Sequence, residues 1–170
     1  MIWPFKSKNE KILNEVVAFE GRLNQALVPL LQKPEKPVAG NGALMSMAVN
    51  MALHFLAVRN LRVFQKASVQ IIAHAASTYG SMVAIGSEGK ISVEDATNSI
   101  LHEMQTTQSD YSHALEKSAS NPEGALQECL DIFLERSGGW MFKGEVERAE
   151  AVVVLSAELQ NLMGRFKSIL

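Results

Sequence analysis

The residues best able to do chemistry in this chain are its four histidines. His54, His74 and His102 each follow an amide side chain by four positions, namely Asn50, Gln70 and Asn98. On a helix that spacing puts amide and imidazole on neighbouring turns, able to bond each other or to face one pocket. Asp110 and His113 add an acid and an imidazole three positions apart. Ligands from several facing helices are how bundle metal sites are built, so a metal or haem held through His54, His74, His102 and His113 is one chemistry open to the chain. The carboxylate-bridged form of such a site needs inward Glu and Glu-x-x-His pairs, which the central segments lack. His102-Glu103-Met104-Gln105-Thr106 likewise has no second histidine for a His-Glu-x-x-His motif. The simpler expectation puts His102 and His113 in solvent, makes His54 and His74 hydrogen-bonded helix residues, and requires no cofactor. A buried His54 would respond to pH.

Other groups carry less. Cys129 is the only cysteine and stands among Leu126, Leu130 and Phe133 at helical spacing, which predicts a small buried hydrophobe. One cysteine and no secretory segment point to the cytoplasm. Arg59, Arg62 and Lys66 share a helix face that could meet phosphates, but the net charge of −2 and the lack of a nucleic-acid motif argue against nucleic acid as a partner. Neither a Gly-rich phosphate loop nor a nucleophile elbow is present. Ala84–Asp95 resembles a calcium-binding EF-hand loop, with Gly89 at its sixth position. Ala84 and Gly86 stand where the first and third ligands belong, so no calcium is expected there. Ser156–Gln160 and Arg165–Lys167 resemble the C-terminal tail of bacterial chemoreceptor signalling domains. The resemblance covers one amphipathic helix, the long heptad hairpin of those receptors has no counterpart, and no function is carried over.

The pattern Trp-x-Phe-Lys occurs twice, as Trp3-Pro4-Phe5-Lys6 and Trp140-Met141-Phe142-Lys143, and holds both tryptophans. Both copies fall outside predicted helices. Aromatic clusters at a surface anchor protein partners, so Trp3, Phe5, Trp140, Met141 and Phe142 are the candidate partner-binding residues. The competing expectation is that they fold back to plug the ends of the molecule.

The elements that must position these groups are helical. Gly and Pro cluster at few points and β-branched alternation is nearly absent. Hydrophobic residues make up 47% of the 170-residue chain and charged residues 20%. A chain of this size buries about 70% of its unfolded surface in one domain. The expectation is an all-α, single-domain bundle of five or six helices. Residues 1–6 form an apolar arm. A first helix runs from Ser7 or Asn9 to Leu31 with Ile12, Val16, Phe19, Leu23, Ala26 and Leu30 as its seam. A Pro-containing linker follows over 32–41.

Ala43–Gly86 is the most apolar stretch. Its polar side changes near Val58, from a Ser46/Asn50/His54 stripe to a broad Arg59–Ser81 face, which favours two helices over one. Ala43–Val58 is too short to span a membrane. Gly86–Lys90 is a loop, and Ser92 caps a helix running to Ser118 with Asp95 in place of the usual capping-box Glu. Asn121-Pro122-Glu123 starts the next helix, which Gly138-Gly139 ends. The last helix runs from Glu145 to Lys167 with Ala149, Val153, Ser156, Leu159, Met163 and Phe166 as its seam.

Charge is unevenly spread. Residues 1–87 hold nine Lys/Arg against four Asp/Glu, whereas residues 88–135 hold two against ten. Either the two halves face each other within the fold, or one sign steers a partner. Taken together, these features predict a non-enzymatic, cytoplasmic protein that binds another protein or itself, of adaptor, chaperone-like or inhibitor type. The alternative is a bundle binding metal or haem through its histidines.

Overall fold

The computed structural model describes residues 7–33, 62–106, 108–117, 120–136 and 139–169. The arm at 1–6, with Trp3 and Phe5, lies outside the described residues. So do most of the linker, the Ser46/Asn50/His54 stripe, and with them the question of one helix or two across Ala43–Gly86. What is described is an all-α domain: six α-helices and one two-stranded clip around a shared core.

Local chemistry sets the helix starts. Helix α1 (Lys8–Leu27) begins at a full capping box. The Ser7 amide donates to Glu10 Oε2 at 2.7 Å and the Glu10 amide donates to Ser7 Oγ at 3.2 Å, satisfying two otherwise orphaned donors. Ile12, Val16, Phe19, Leu23 and Leu27 are buried along one face. The α-helix stops at Leu27, short of the expected Leu31. Pro29 has no N–H to continue the ladder, so Val28–Leu30 tighten into a 3-10 turn. Ala26, expected in the seam, is only half-buried, and Leu27 takes its place.

Beyond that turn, β1 (Leu31–Gln32) pairs antiparallel with β2 (Met141–Phe142), Leu31 opposite Phe142 and Gln32 opposite Met141. Helix α2 (Arg62–Gly86) turns through Glu88 (φ 55°) and Gly89 (φ 82°) into α3 (Val93–Thr106). Ser87 holds this turn, its hydroxyl donating to Ala84 O and accepting from the Ile91 amide. Ser92 caps α3 as expected: its Oγ accepts from the Asp95 amide at 3.0 Å and donates to the Asp95 carboxylate at 2.7 Å.

One helix was expected between Ser92 and Ser118; there are two, α3 and α4 (Gln108–Glu116). The Thr106 hydroxyl turns back on the Glu103 carbonyl at 3.1 Å, the kind of local bond that competes with helix continuation. The inward residues Ile100, Met104, Tyr111, Ala114 and Leu115 are nonetheless those the sequence pattern picks out. Helix α5 (Pro122–Arg136) starts on the Asn121 side chain, which accepts from the Gly124 amide at 3.0 Å.

Helix α6 (Glu145–Ile169) departs most from expectation. Its buried face is Ala151, Val152, Leu155, Leu159, Leu162 and Phe166. Of the expected seam only Leu159 and Phe166 are buried, while Ala149 and Val153 point outward. The helix is apolar on two sides, so periodicity alone selects a face between them.

Packing is by neighbours in the order α3–α2–α1–α6–α5–α4. Helices α2 and α3 form a close hairpin. Helix α1 lies antiparallel along α6, tied at one end by the β1–β2 clip and midway by Arg22 Nε to Glu158 Oε2 at 2.7 Å. Phe19, Tyr111, Phe133 and Phe166 are the largest fully buried side chains, each worth about 1.5–3 kcal/mol in transfer alone. No described helix is long and apolar enough to cross a membrane.

Candidate functional site

Where α5 ends, Gly139 adopts φ 93°, a left-handed conformation suited to glycine, and the chain enters Trp140 and then β2. Two bonds fix this segment to the end of α1. The Lys143 amide donates to Leu30 O at 3.1 Å, and Lys143 Nζ donates to Pro29 O at 2.6 Å. Gly144 then caps α6, its carbonyl accepting from the Arg148 amide at 3.0 Å.

These elements enclose an open cleft of about 320 Å³. Leu134, Trp140 and Phe142 line its inner side, Met141 stands beside them, and polar groups, Asp131, Glu145 and Arg148 among them, make up the greater part of its surface. Arg148 Nη2 donates to both Asp131 oxygens, at 2.7 and 3.0 Å, joining the end of α5 to the start of α6. Such an exposed pair is worth about 0.2–1 kcal/mol and fixes geometry more than stability.

The cleft therefore gathers three of the five candidate partner-binding residues, in differing roles. Trp140 is 6% exposed and belongs to the core, not to the surface. Phe142 is half-buried, and Met141 is 61% exposed. At the second Trp-x-Phe-Lys copy the exposed group is therefore the Met141 thioether, next in sequence to a buried indole.

The histidines are dispersed. His74 on α2 is exposed, with Nε2 3.5 Å from Thr78 Oγ1, and His102 on α3 and His113 on α4 are exposed as well. His54 lies outside the described residues. Among the described residues no three His, Cys, Asp or Glu side chains come together in a way that could hold a metal ion. Cys129 is fully buried. Burial, and then the neighbouring Glu128 charge, push its thiol up to about 12, so it carries almost no thiolate at neutral pH.

The sequence pattern misses one polar group. Glu20 is 3% exposed inside α1, between Phe19 and Leu23. Asn24 Nδ2 donates to its Oε1 at 2.9 Å and to its backbone carbonyl at 3.1 Å. Burial raises the Glu20 pKa and the Asn24 bond opposes the rise. Tyr79 on α2 is pushed above the ordinary phenol value by burial, and further by the Glu20 charge. A Glu-x-x-x-Asn pair beside the apolar seam was the available signal, and any exposed helix edge shares it.

A carboxyl with a raised folded-state pKa stabilises the fold below the ordinary value of 4.5, and that stability is lost as pH rises through the raised pKa. Glu20→Gln keeps the acceptor for Asn24 and removes the charge. Thermal melts are expected to show the variant a few degrees more stable than the wild type at pH 7, with the gain gone by pH 4.

Compared with protein-family models, curated proteins and solved structures, the chain matches none.

Proposed function

We propose that this chain is a non-enzymatic helical binding protein, of adaptor, chaperone-like or inhibitor type, that docks an apolar side chain of a partner protein in the cleft beside β2. The observation that carries this reading is Met141, 61% exposed at the mouth of a cleft lined on its inner side by Trp140, Leu134 and Phe142. Methionine and aromatic residues are enriched where proteins meet. A pocket backed by a rigid indole is the kind of place where a few side chains supply most of the binding energy.

The rim adds direction. Arg148 and Asp131 neutralise each other, which leaves Glu145 to favour a basic residue next to the partner's apolar anchor. A single buried thiol suits a reducing compartment, and the cytoplasm is the proposed location.

Met141→Asp tests the reading, because an exposed side chain can be changed without disturbing the core. Quantitative affinity capture with wild type and variant is expected to identify a partner whose recovery falls about thirtyfold in the variant, the loss typical of one hot-spot residue, with melting temperature unchanged. Equal recovery of every partner by the two proteins would overturn it.

A further inference from the structure

The outward side of α6 carries a continuous stripe that nothing among the described residues covers. Val146, Ala149, Val153, Ala157, Gln160 and Gly164 follow one another at intervals of 3, 4, 4, 3 and 4 residues, and all are exposed. Val146 is 76% exposed and Val153 68%. Intervals of three and four are those of a helix seam that meets another helix. Ala149, Ala157 and Gly164 are small enough to let a second helix axis come within about 8 Å.

The charges beside the stripe identify the second helix. Glu145, Glu147 and Glu150 stand at the start of α6, and Arg165 and Lys167 at its end. None of the five has an ion-pair partner among the described residues. At about 100° per residue, Lys167 falls at the edge of the stripe and Glu145 about 80° from its centre on the same side, while Glu147 and Arg165 share one angle about 120° round on the other side. Both pairs are also placed symmetrically about Ser156. A two-fold axis passing near Ser156 and perpendicular to the helix brings like flanks of two antiparallel α6 helices together. It sets Glu145 across from Lys167 and Glu147 across from Arg165 in a single register. The same register slots Val153 between Ala157 and Gln160 of the second copy. A parallel arrangement would instead oppose acid to acid.

We propose that α6 is a self-association surface, on which a second copy of this chain packs antiparallel through the Val146–Gly164 stripe. One helix against one helix buries less than a standard interface of about 1,600 Å², so the dimer is weak and concentration-dependent. An isologous contact of this kind closes on itself; it takes up Glu145 of the cleft rim and leaves the Trp140–Phe142 side of each β2 cleft free for a partner.

Sedimentation equilibrium at rising concentration is the test. The mass is expected to climb from 18.6 kDa toward twice that value. Val153→Asp should hold it at the monomer value with an unchanged melting temperature. Glu147→Arg alone is expected to weaken the dimer roughly tenfold, since the two-fold axis replaces both copies of the pair at once. Adding Arg165→Glu should restore it. A protein that stays monomeric throughout, or a dimer indifferent to Val153→Asp, would overturn the surface. Failure of the charge swap to rescue would overturn the antiparallel register. Met141→Asp leaves the dimer intact, which separates this surface from the cleft.

Discussion

Trp140→Ala is expected to lower stability by about 3–5 kcal/mol, the range for truncating a buried aromatic, and so to lower the melting temperature on the order of 10 °C. The reason is position. Trp140 is 6% exposed and belongs to the same buried cluster as Leu134 on α5 and Leu155 on α6. It also sets the start of β2, so its loss would loosen the Leu31–Phe142 pairing as well as open a cavity. Met141→Ala, one residue along, should change stability by no more than about 0.5 kcal/mol, because that side chain is 61% exposed. Melting curves of the two variants side by side test the division of labour proposed for the cleft, in which the indole builds the wall and the thioether meets the partner. If Trp140→Ala melted like the wild type, the indole would not be core and the cleft would have no fixed wall.

The second large effect is a reversal of sign at Gly80. Replacing a helical glycine by alanine ordinarily stabilises by about 0.5–1 kcal/mol. Gly21, in the middle of α1, has nothing within 4 Å of where a Cβ would stand, so Gly21→Ala is expected to show that gain. At Gly80 the same atom would lie 2.7 Å from Thr97 Cα and 2.8 Å from Thr97 N. Those are backbone atoms of α3, and only separation of the α2–α3 hairpin could relieve the contact. Gly80→Ala is therefore expected to cost about 1–3 kcal/mol net, and Thr97→Ala should not rescue it, since the opposing Cα and N remain. Rescue by Thr97→Ala in denaturant melts would show that only the side chain was in the way.

The helix starts could be read from the chain because caps are local chemistry. Ser7 with Glu10, Ser92 with Asp95, and Asn121 with Gly124 each bond across three residues, so sequence neighbours are also spatial neighbours. The inward faces of α1, α3 and α4 were legible for a related reason: each is apolar on one side, so the period has one solution. Helix α6 has two apolar sides, and the pattern drew a seam across both. Which side faces inward is decided by α1 and α5, which are distant in sequence.

The clip was hidden because strands of two residues are too short to show alternation. Without it nothing indicated that Trp140 would be drawn into the core. The cleft was thus legible as an address, Trp140 to Phe142, but its orientation was not: the feature that draws attention in the sequence, the tryptophan, is the one the fold conceals. Glu20 was missed because an acid beside an apolar seam on an otherwise polar helix is read as a surface residue. Its burial comes from the approach of α2, with Tyr79.

The antiparallel seating of α1 on α6 also has a consequence for synthesis. Arg22 and Glu158 are 136 residues apart, and the Lys143 side chain reaches back 114 residues to Pro29. At translation rates of about 5–20 residues per second, the side of α1 that meets α6 stays without its partner for on the order of ten seconds after it is made. The α2–α3 and α4–α5 pairs close over short loops and can form during that interval. A nascent chain stalled before Glu145 would therefore hold paired helices beside an uncovered row of apolar side chains on α1. That is the species from which aggregation of this protein is expected to begin.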